Sequence, residues 1–303
     1  MSNLSPGRPQ PRNKLLLAAV LLLLCGALVL CWVVGVRYER ARQPKPATVP
    51  LTEEELTVQF PLLALTRADH ETDSENAIAV NLSDCDGECL IDEGGAYRLS
   101  GSLNGVIRVA AEEQTVHLIL DSVSVISPQG PALLVESAGK VILSLPEGSH
   151  STLSDSGHYL RNTDDEACIS SRSDLTVNGS GALIVNGLYK DAIRSRNVIR
   201  ILDGKITINC KRTGIHGTDG ILVSGGSLNI SSEKNGLRTT KSGADGRGNL
   251  VISGGDHRII AGRHAFLVGR GDLYVYNCRI FDKSIVSTWN VGGQVKVQSG
   301  CIQ

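Results

Sequence analysis

The chain writes its apolar residues in short alternating runs that return at a fixed interval. Ile193, Ile199, Ile201, Gly204, Ile206 and Ile208 mark one unit, and 22 residues on Ile215, Ile221, Val223, Gly226, Leu228 and Ile230 occupy the same places. Leu237, Leu250, Ile252, Gly255 and Ile259 follow after a seven-residue insertion near "KSGADGRG", and Phe266, Leu273 and Val275 continue the series. Upstream, Leu175, Val177, Leu183 and Val185 form a slightly longer unit, and "VHLILDSVSV" and "KVILSL" alternate in the same way. Alternation with period two, broken by Gly or Asn, predicts two or three short strands per unit.

A unit this short cannot bury its apolar face alone, so it must stack on its neighbours. The leucine-rich pattern is missing and propeller blades are about twice as long. The expected fold is therefore all-β, a parallel β-helix (solenoid) with equivalent residues one rung apart, about 4.8 Å. His257 falls on the slot that Leu228 holds one coil earlier, and reads as a satisfied core residue.

Ahead of the repeats, residues 15–36 form an apolar run bounded by Lys14 and Arg37. It is long enough to cross a bilayer and lacks the small-residue end of a cleavable signal, which predicts a single N-terminal transmembrane helix. Residues 1–14 then form a short cytoplasmic tail, 15–36 the anchor, 37–76 a linker or stalk, and 77–303 the β-helix. Flanking charges do not set the orientation. Long downstream domains translocate regardless of charge, so the expected location is a single-pass cell-membrane protein with its C-terminal domain extracytoplasmic.

Charge changes the picture again. Residues 51–163 carry five basic and 18 acidic residues, whereas 164–303 carry 18 basic and 12 acidic. Stacking gathers part of that basic excess into columns. Lys190, Arg212, Lys234 and Arg263 form one file, Arg194, His216 and Arg238 a second, with Ala192, Gly214, Gly236 and Ala265 between them. If the following Ile or Leu points inward, the flanking residues point outward. The pattern fits a basic groove with a small-residue floor, suited to the carboxylates of an acidic polysaccharide, and equally fits long solvated side chains covering apolar edges beside turns that require small residues.

Acidic residues suggest little metal chemistry. Asp84, Asp86 and Glu88 alternate in "DCDGECLIDE" and could hold a calcium ion, but the segment is no EF-hand loop, and "TDDEA" at 163–167 is equally consistent with a solvated turn. No cofactor is required by any motif. The cysteines show no C-x-x-C spacing; Cys85 and Cys89 could close a small loop in an oxidising compartment, and Cys210 reads as a small hydrophobe.

The phrases "GAYRLSGSL" (95–103), "VHLILDSVSVISPQGPALLV" (116–135), "KVILSLPEGSHSTLSD" (140–155) and "DLTVNGSGALIVNG" (174–187) carry a resemblance. Together with the later G-I and G-L turns they resemble the bacterial carbohydrate-binding (pectin- or polygalacturonate-binding) parallel β-helix domains. That resemblance implies a right-handed β-helix, an extracellular setting, an acidic polysaccharide ligand and calcium, on a fold also similar to pectate lyases. The family's paired Asp before the turn Gly is replaced here by Lys190-Asp191, Arg212-Thr213, Lys234-Asn235 and Arg263-His264, which removes most acidic ligands from that column.

Binding without turnover is the expectation. A lyase would need a base beside a uronate carboxylate, for which Arg194 or Arg238 could serve, and no residue pattern selects one. A glycosidase pair cannot be picked from Asp191, Asp203 and Asp219. A membrane-tethered spacer is the remaining alternative. No nucleic-acid motif is present. Tyr159, Tyr189 and Trp289 are the few aromatics suited to stacking on a sugar. An open final coil would invite self-association.

Overall fold

The structure, a computed structural model, describes residues 52–159, 166–242 and 244–303. The apolar run 15–36 lies outside them, and among the described residues no helix is long and apolar enough to cross a membrane.

The repeats fold as the alternation demands. One turn consists of strands Asp191–Ser195, Val198–Ile201 and Lys205–Cys210, and the next of Thr213–Gly217, Gly220–Val223 and Ser227–Ser232. Strands of each kind pair in parallel with their counterparts one turn away. The described strands thereby form parallel sheets of 17 and 8 strands, wound as a solenoid. Between the second and third strands the chain reverses at Gly204, Gly226 and Gly255, whose φ values of 111°, 73° and 93° favour glycine.

Register is what the spacing predicted. Ile193, Ile215, Leu237 and Phe266 lie on one column, and Ile199, Ile221, Leu250 and Leu273 on another. All eight are fully buried, at 0% exposure. Each such side chain contributes roughly 1.5–3 kcal/mol on leaving water. Rungs therefore stabilise one another rather than themselves. His257 pairs with Leu228 in the third column and is 2% exposed. Its Nε2 faces the Gly254 carbonyl at 2.8 Å while Nδ1 receives the Leu228 N–H at 3.3 Å, so a neutral ring is fully satisfied. Burial lowers its pKa, consistent with that neutral form.

The segment expected to be linker behaves differently where it is described. Helix Glu53–Gln59 leads into a strap along the second strands. On their outward side Leu222, Val251 and Tyr274 occupy three successive rungs, an apolar column that water would leave costly. Phe60 and Leu63 cover it, Phe60 lying edge-on to Tyr274 at 4.8 Å between ring centroids. Further along, Asp69 is fully buried against Lys140 Nζ at 2.8 Å and Thr176 Oγ1 at 2.5 Å. Burial alone would raise that carboxyl, but hydrogen bonds from Lys140, Thr176 and Thr66 hold it at about 2. From residue 60 to 71 the strap is thus part of the folded body, docked by "FPLLAL" and one buried ion pair.

Candidate functional site

The two basic files exist. Arg194, His216 and Arg238 are direct register partners on successive first strands, with Ser170 before them and Leu267 after. The other file is tied by its backbone: Arg212 N–H donates to the Lys190 carbonyl at 2.8 Å, Lys234 to Arg212 at 3.1 Å, and Arg263 to Lys234 at 2.6 Å. All seven predicted residues therefore run side by side along one flank, as the repeat implied.

The supposed floor is not a floor. Ala192 and Ala265 are buried at 0% exposure within the core. A Cβ on Gly214 would sit 2.6 Å from Ile230 Cγ2, and one on Gly236 2.7 Å from Ile259 Cγ2. These small residues face inward at the strand entrance, where third-strand isoleucines leave no room. Alternation misplaced them because Ile193 follows inward as well, the backbone being irregular at this corner: register pairs skip from Asp191 to Ile193 and from Thr213 to Ile215.

What lies between the files is instead a buried polar network. Asp191, at 0% exposure, receives Arg212 Nε and Nη2 at 2.7 and 2.9 Å, the Thr213 N–H at 3.0 Å, and contacts His216 Nδ1 at 3.2 Å. Burial pushes its pKa up, but hydrogen bonds from His216 and Arg212, with the Arg212 charge, hold it at about 2. Burial lowers His216, so near neutral pH its ring is uncharged and Nδ1–H donates to Asp191. Its Nε2 lies 3.5 Å from Thr240 Oγ1.

Glu166 closes the same network from the preceding turn. Its carboxylate meets Lys190, Arg212 Nη1 at 2.8 Å and Arg194 Nη1 at 3.8 Å. The balance of hydrogen bonds and charge from Lys190 and Arg212 outweighs burial and lowers its pKa. Glu166 belongs to the acidic "TDDEA" stretch, whose sequence leaves a cation site and a solvated turn both open. Thr163, Asp164 and Asp165 of that turn lie outside the described residues.

Charge is therefore uneven along the axis. Lys190, Arg194 and Arg212 share Glu166 and Asp191, whereas among the described residues no carboxylate lies within ion-pair distance of Lys234, Arg238 or Arg263. Burial lowers the Arg238 pKa; Asp191 opposes that shift, and the Arg212 and Arg194 charges add to it. Lys234 and Arg263 are exposed. At the other end, Tyr159 and Tyr189 stack at 4.3 Å with an 18° interplanar angle, and Lys190 Nζ lies 4.9 Å from the Tyr189 centroid. Trp289 instead follows Phe266 on its column and packs against the core.

Other expectations fare variously. Asp84, Asp86 and Glu88 are exposed, and Glu88 engages Arg108 Nε at 2.6 Å. Among the described residues no group of three or more His, Cys, Asp or Glu is arranged to hold a metal ion. A cleft of about 540 Å³ lined by His70, Asp73, Glu147, Asn178 and Asp203 opens elsewhere; its acidic lining does not suit a polyanion.

With fold and flank established, the comparisons with known proteins decide the family. The sequence profile of the carbohydrate-binding domain-containing proteins matches residues 86–288, more than half of the chain. The chain belongs to that family. A carbohydrate-binding domain-containing protein of Acetivibrio thermocellus is 32% identical over 146 residues, 46% of this chain and 51% of the relative. This carbohydrate-binding domain protein thus spans about half the length of that relative. Among solved structures, the polysaccharide lyase-like protein from C. thermocellum, a gadolinium derivative, is similar with a TM-score of 0.71 and 26% identity, covering 75% of this chain and 98% of that one.

Proposed function

We propose that this protein binds an acidic, uronate-rich polysaccharide of the pectin type along the Lys190–Arg263 flank, without turning it over. The observation that carries the reading is the pair of in-register cationic files whose later rungs, Lys234, Arg238 and Arg263, have no carboxylate partner among the described residues. Like charges stacked one rung apart repel, and a bound polyanion would relieve that repulsion. Arg212 belongs to the scaffold that sets the file, since Asp191 and Glu166 already occupy its guanidinium. Family membership and the polysaccharide lyase-like neighbour support a glycan ligand. On this reading the solenoid is right-handed, the usual hand of parallel crossovers, and residues 15–36 anchor it to a cell membrane with residues 77–303 at the outer surface.

The test is retention on polygalacturonate. Lys234→Glu with Arg238→Glu should abolish retention that the parent shows at low salt, and added salt should weaken the parent in the same direction. Unchanged retention by a folded double variant would remove this flank as the binding face.

A second reading has one observation in its favour. His216, held by Asp191 and set between Arg194 and Arg238, has the makings of a base that removes a proton beside a uronate carboxylate, with arginines neutralising that carboxylate. At 5% exposure the ring is poorly placed to meet a sugar proton, which favours binding over elimination. Ultraviolet-absorbing unsaturated uronate released on incubation, and lost in His216→Ala, would favour the lyase.

A further inference from the structure

Six cysteines lie among the described residues, and they sort by position. Cys85 follows the short helix Leu82–Asp84, Gly87 turns the chain at φ 73°, and Cys89 enters strand Glu88–Ile91, so that both side chains pack into the same end of the core at the first turns of the solenoid. At the opposite end Cys278 and Cys301 are both buried in the core on adjoining segments. There the chain closes on itself: Ile280 N–H donates to the Cys301 carbonyl at 2.7 Å, Ile280 pairs with Ile302, and Gln298 Oε1 accepts the Asn277 N–H at 2.8 Å. Both residues border a cleft of about 340 Å³ that also meets Gly255, Asn277 and Gln298, which brings solvent close to this pair. Cys168 and Cys210 sit on central turns, where burial rather than a second thiol dominates their surroundings.

We propose that Cys85–Cys89 and Cys278–Cys301 are two disulfide sites, one at each end of the solenoid, that close wherever this domain meets an oxidising compartment, while Cys168 and Cys210 remain thiols. Solenoid ends are where this fold is weakest, because a terminal rung has a stacking neighbour on one side only. The Cys278–Cys301 bond would hold the segment around Cys301 on the preceding turn. The chemistry balances with a disulfide such as oxidised glutathione. One protein thiolate attacks a glutathione sulfur and expels one glutathione thiolate; the second protein thiolate attacks the resulting mixed disulfide and expels the other. Two electrons pass from each cysteine pair to the oxidant, and the protons leave with glutathione or the buffer. Nothing in this step depends on the glycan, so it stands or falls apart from the binding reading.

The test uses the reduced, folded full chain treated with oxidised glutathione, then quenched, alkylated in denaturant, digested and weighed. The peptide holding both Cys85 and Cys89 should appear unalkylated and about 2 Da lighter than the dithiol, and the Cys278 and Cys301 peptides should appear joined. Cys168 and Cys210 should be alkylated. Persistent glutathione adducts on the end cysteines, linkage of either end to Cys168 or Cys210, or six alkylated cysteines would overturn the proposal. Cys301→Ser should leave Cys278 open while Cys85–Cys89 still closes; loss of both bridges would mean the ends are not independent and would likewise count against it. Trapping the thiols in cells before lysis reads the compartment separately. Bridges that form in the tube but are absent in cells would overturn the extracytoplasmic placement and leave the pairing intact.

Discussion

Replacing Asp191 by Asn tests whether the cationic flank rests on one buried carboxylate. The native group receives two bonds from Arg212 and one from the Thr213 N–H, with His216 as a fourth neighbour. An amide keeps the shape, loses the charge and turns an N–H₂ toward those donors. Arg212 would retain Glu166 at 2.8 Å, so it is weakened rather than orphaned. Breaking a buried pair costs about 3–5 kcal/mol, and the surviving Glu166 contact places this case near about 3. Titration gives a second route to the magnitude. Holding the folded carboxyl at about 2, below the ordinary range of an exposed aspartate, corresponds to about 2–3 kcal/mol at neutral pH. Because the folded pKa is depressed, that contribution is present in full above about pH 4 and is lost as pH falls through about 2. Urea unfolding followed by far-ultraviolet circular dichroism at pH 7, 5 and 3 should show the variant less stable by about 2–3 kcal/mol at pH 7, with the gap narrowing at pH 3. A gap below about 0.5 kcal/mol at pH 7, or one that does not narrow in acid, would refute the reasoning.

Three further outcomes follow from the same packing. Gly214→Ala should destabilise by about 1–3 kcal/mol in urea unfolding, since its Cβ would press on Ile230 and the Gly236 carbonyl, whereas Ala265→Gly should cost under about 1.5 kcal/mol. Phe60→Ala should lose about 3 kcal/mol of strap docking and hasten proteolysis between residues 52 and 72, while the repeats stay protected. Burial raises Asp155 to about 6 despite the Tyr159 hydroxyl and backbone donors, so the folded state binds its proton more tightly than the unfolded chain. Relative to Asp155→Asn, native stability should therefore fall by about 3 kcal/mol as pH rises from about 4 through about 6, read from paired unfolding curves.

The repeats alone imply the solenoid and its register. A 22-residue recurrence with period-two alternation leaves few ways to bury Ile193, Ile215 and Leu237 except by stacking them, and stacking them carries Arg194, His216 and Arg238 into file. It also identified His257 as a satisfied core residue. Its spacing could not show which way Ala192 and Gly214 face, because a local irregularity at the strand entrance breaks the alternation on which that inference rests. Nor could it find the network of Glu166, Asp191 and Arg212. Those residues lie on three successive turns, and a lone Asp in "KDAIRS", where its repeats carry Thr213 and Asn235, was the one trace left in the sequence. Tertiary structure also decided that "FPLLAL" docks, since its partner column of Leu222, Val251 and Tyr274 is assembled only when the rungs are stacked. Periodicity is a local, repeated constraint that a sequence records many times over. Which cations are neutralised, and which remain for a ligand, depends on single contacts between turns that no repeat encodes.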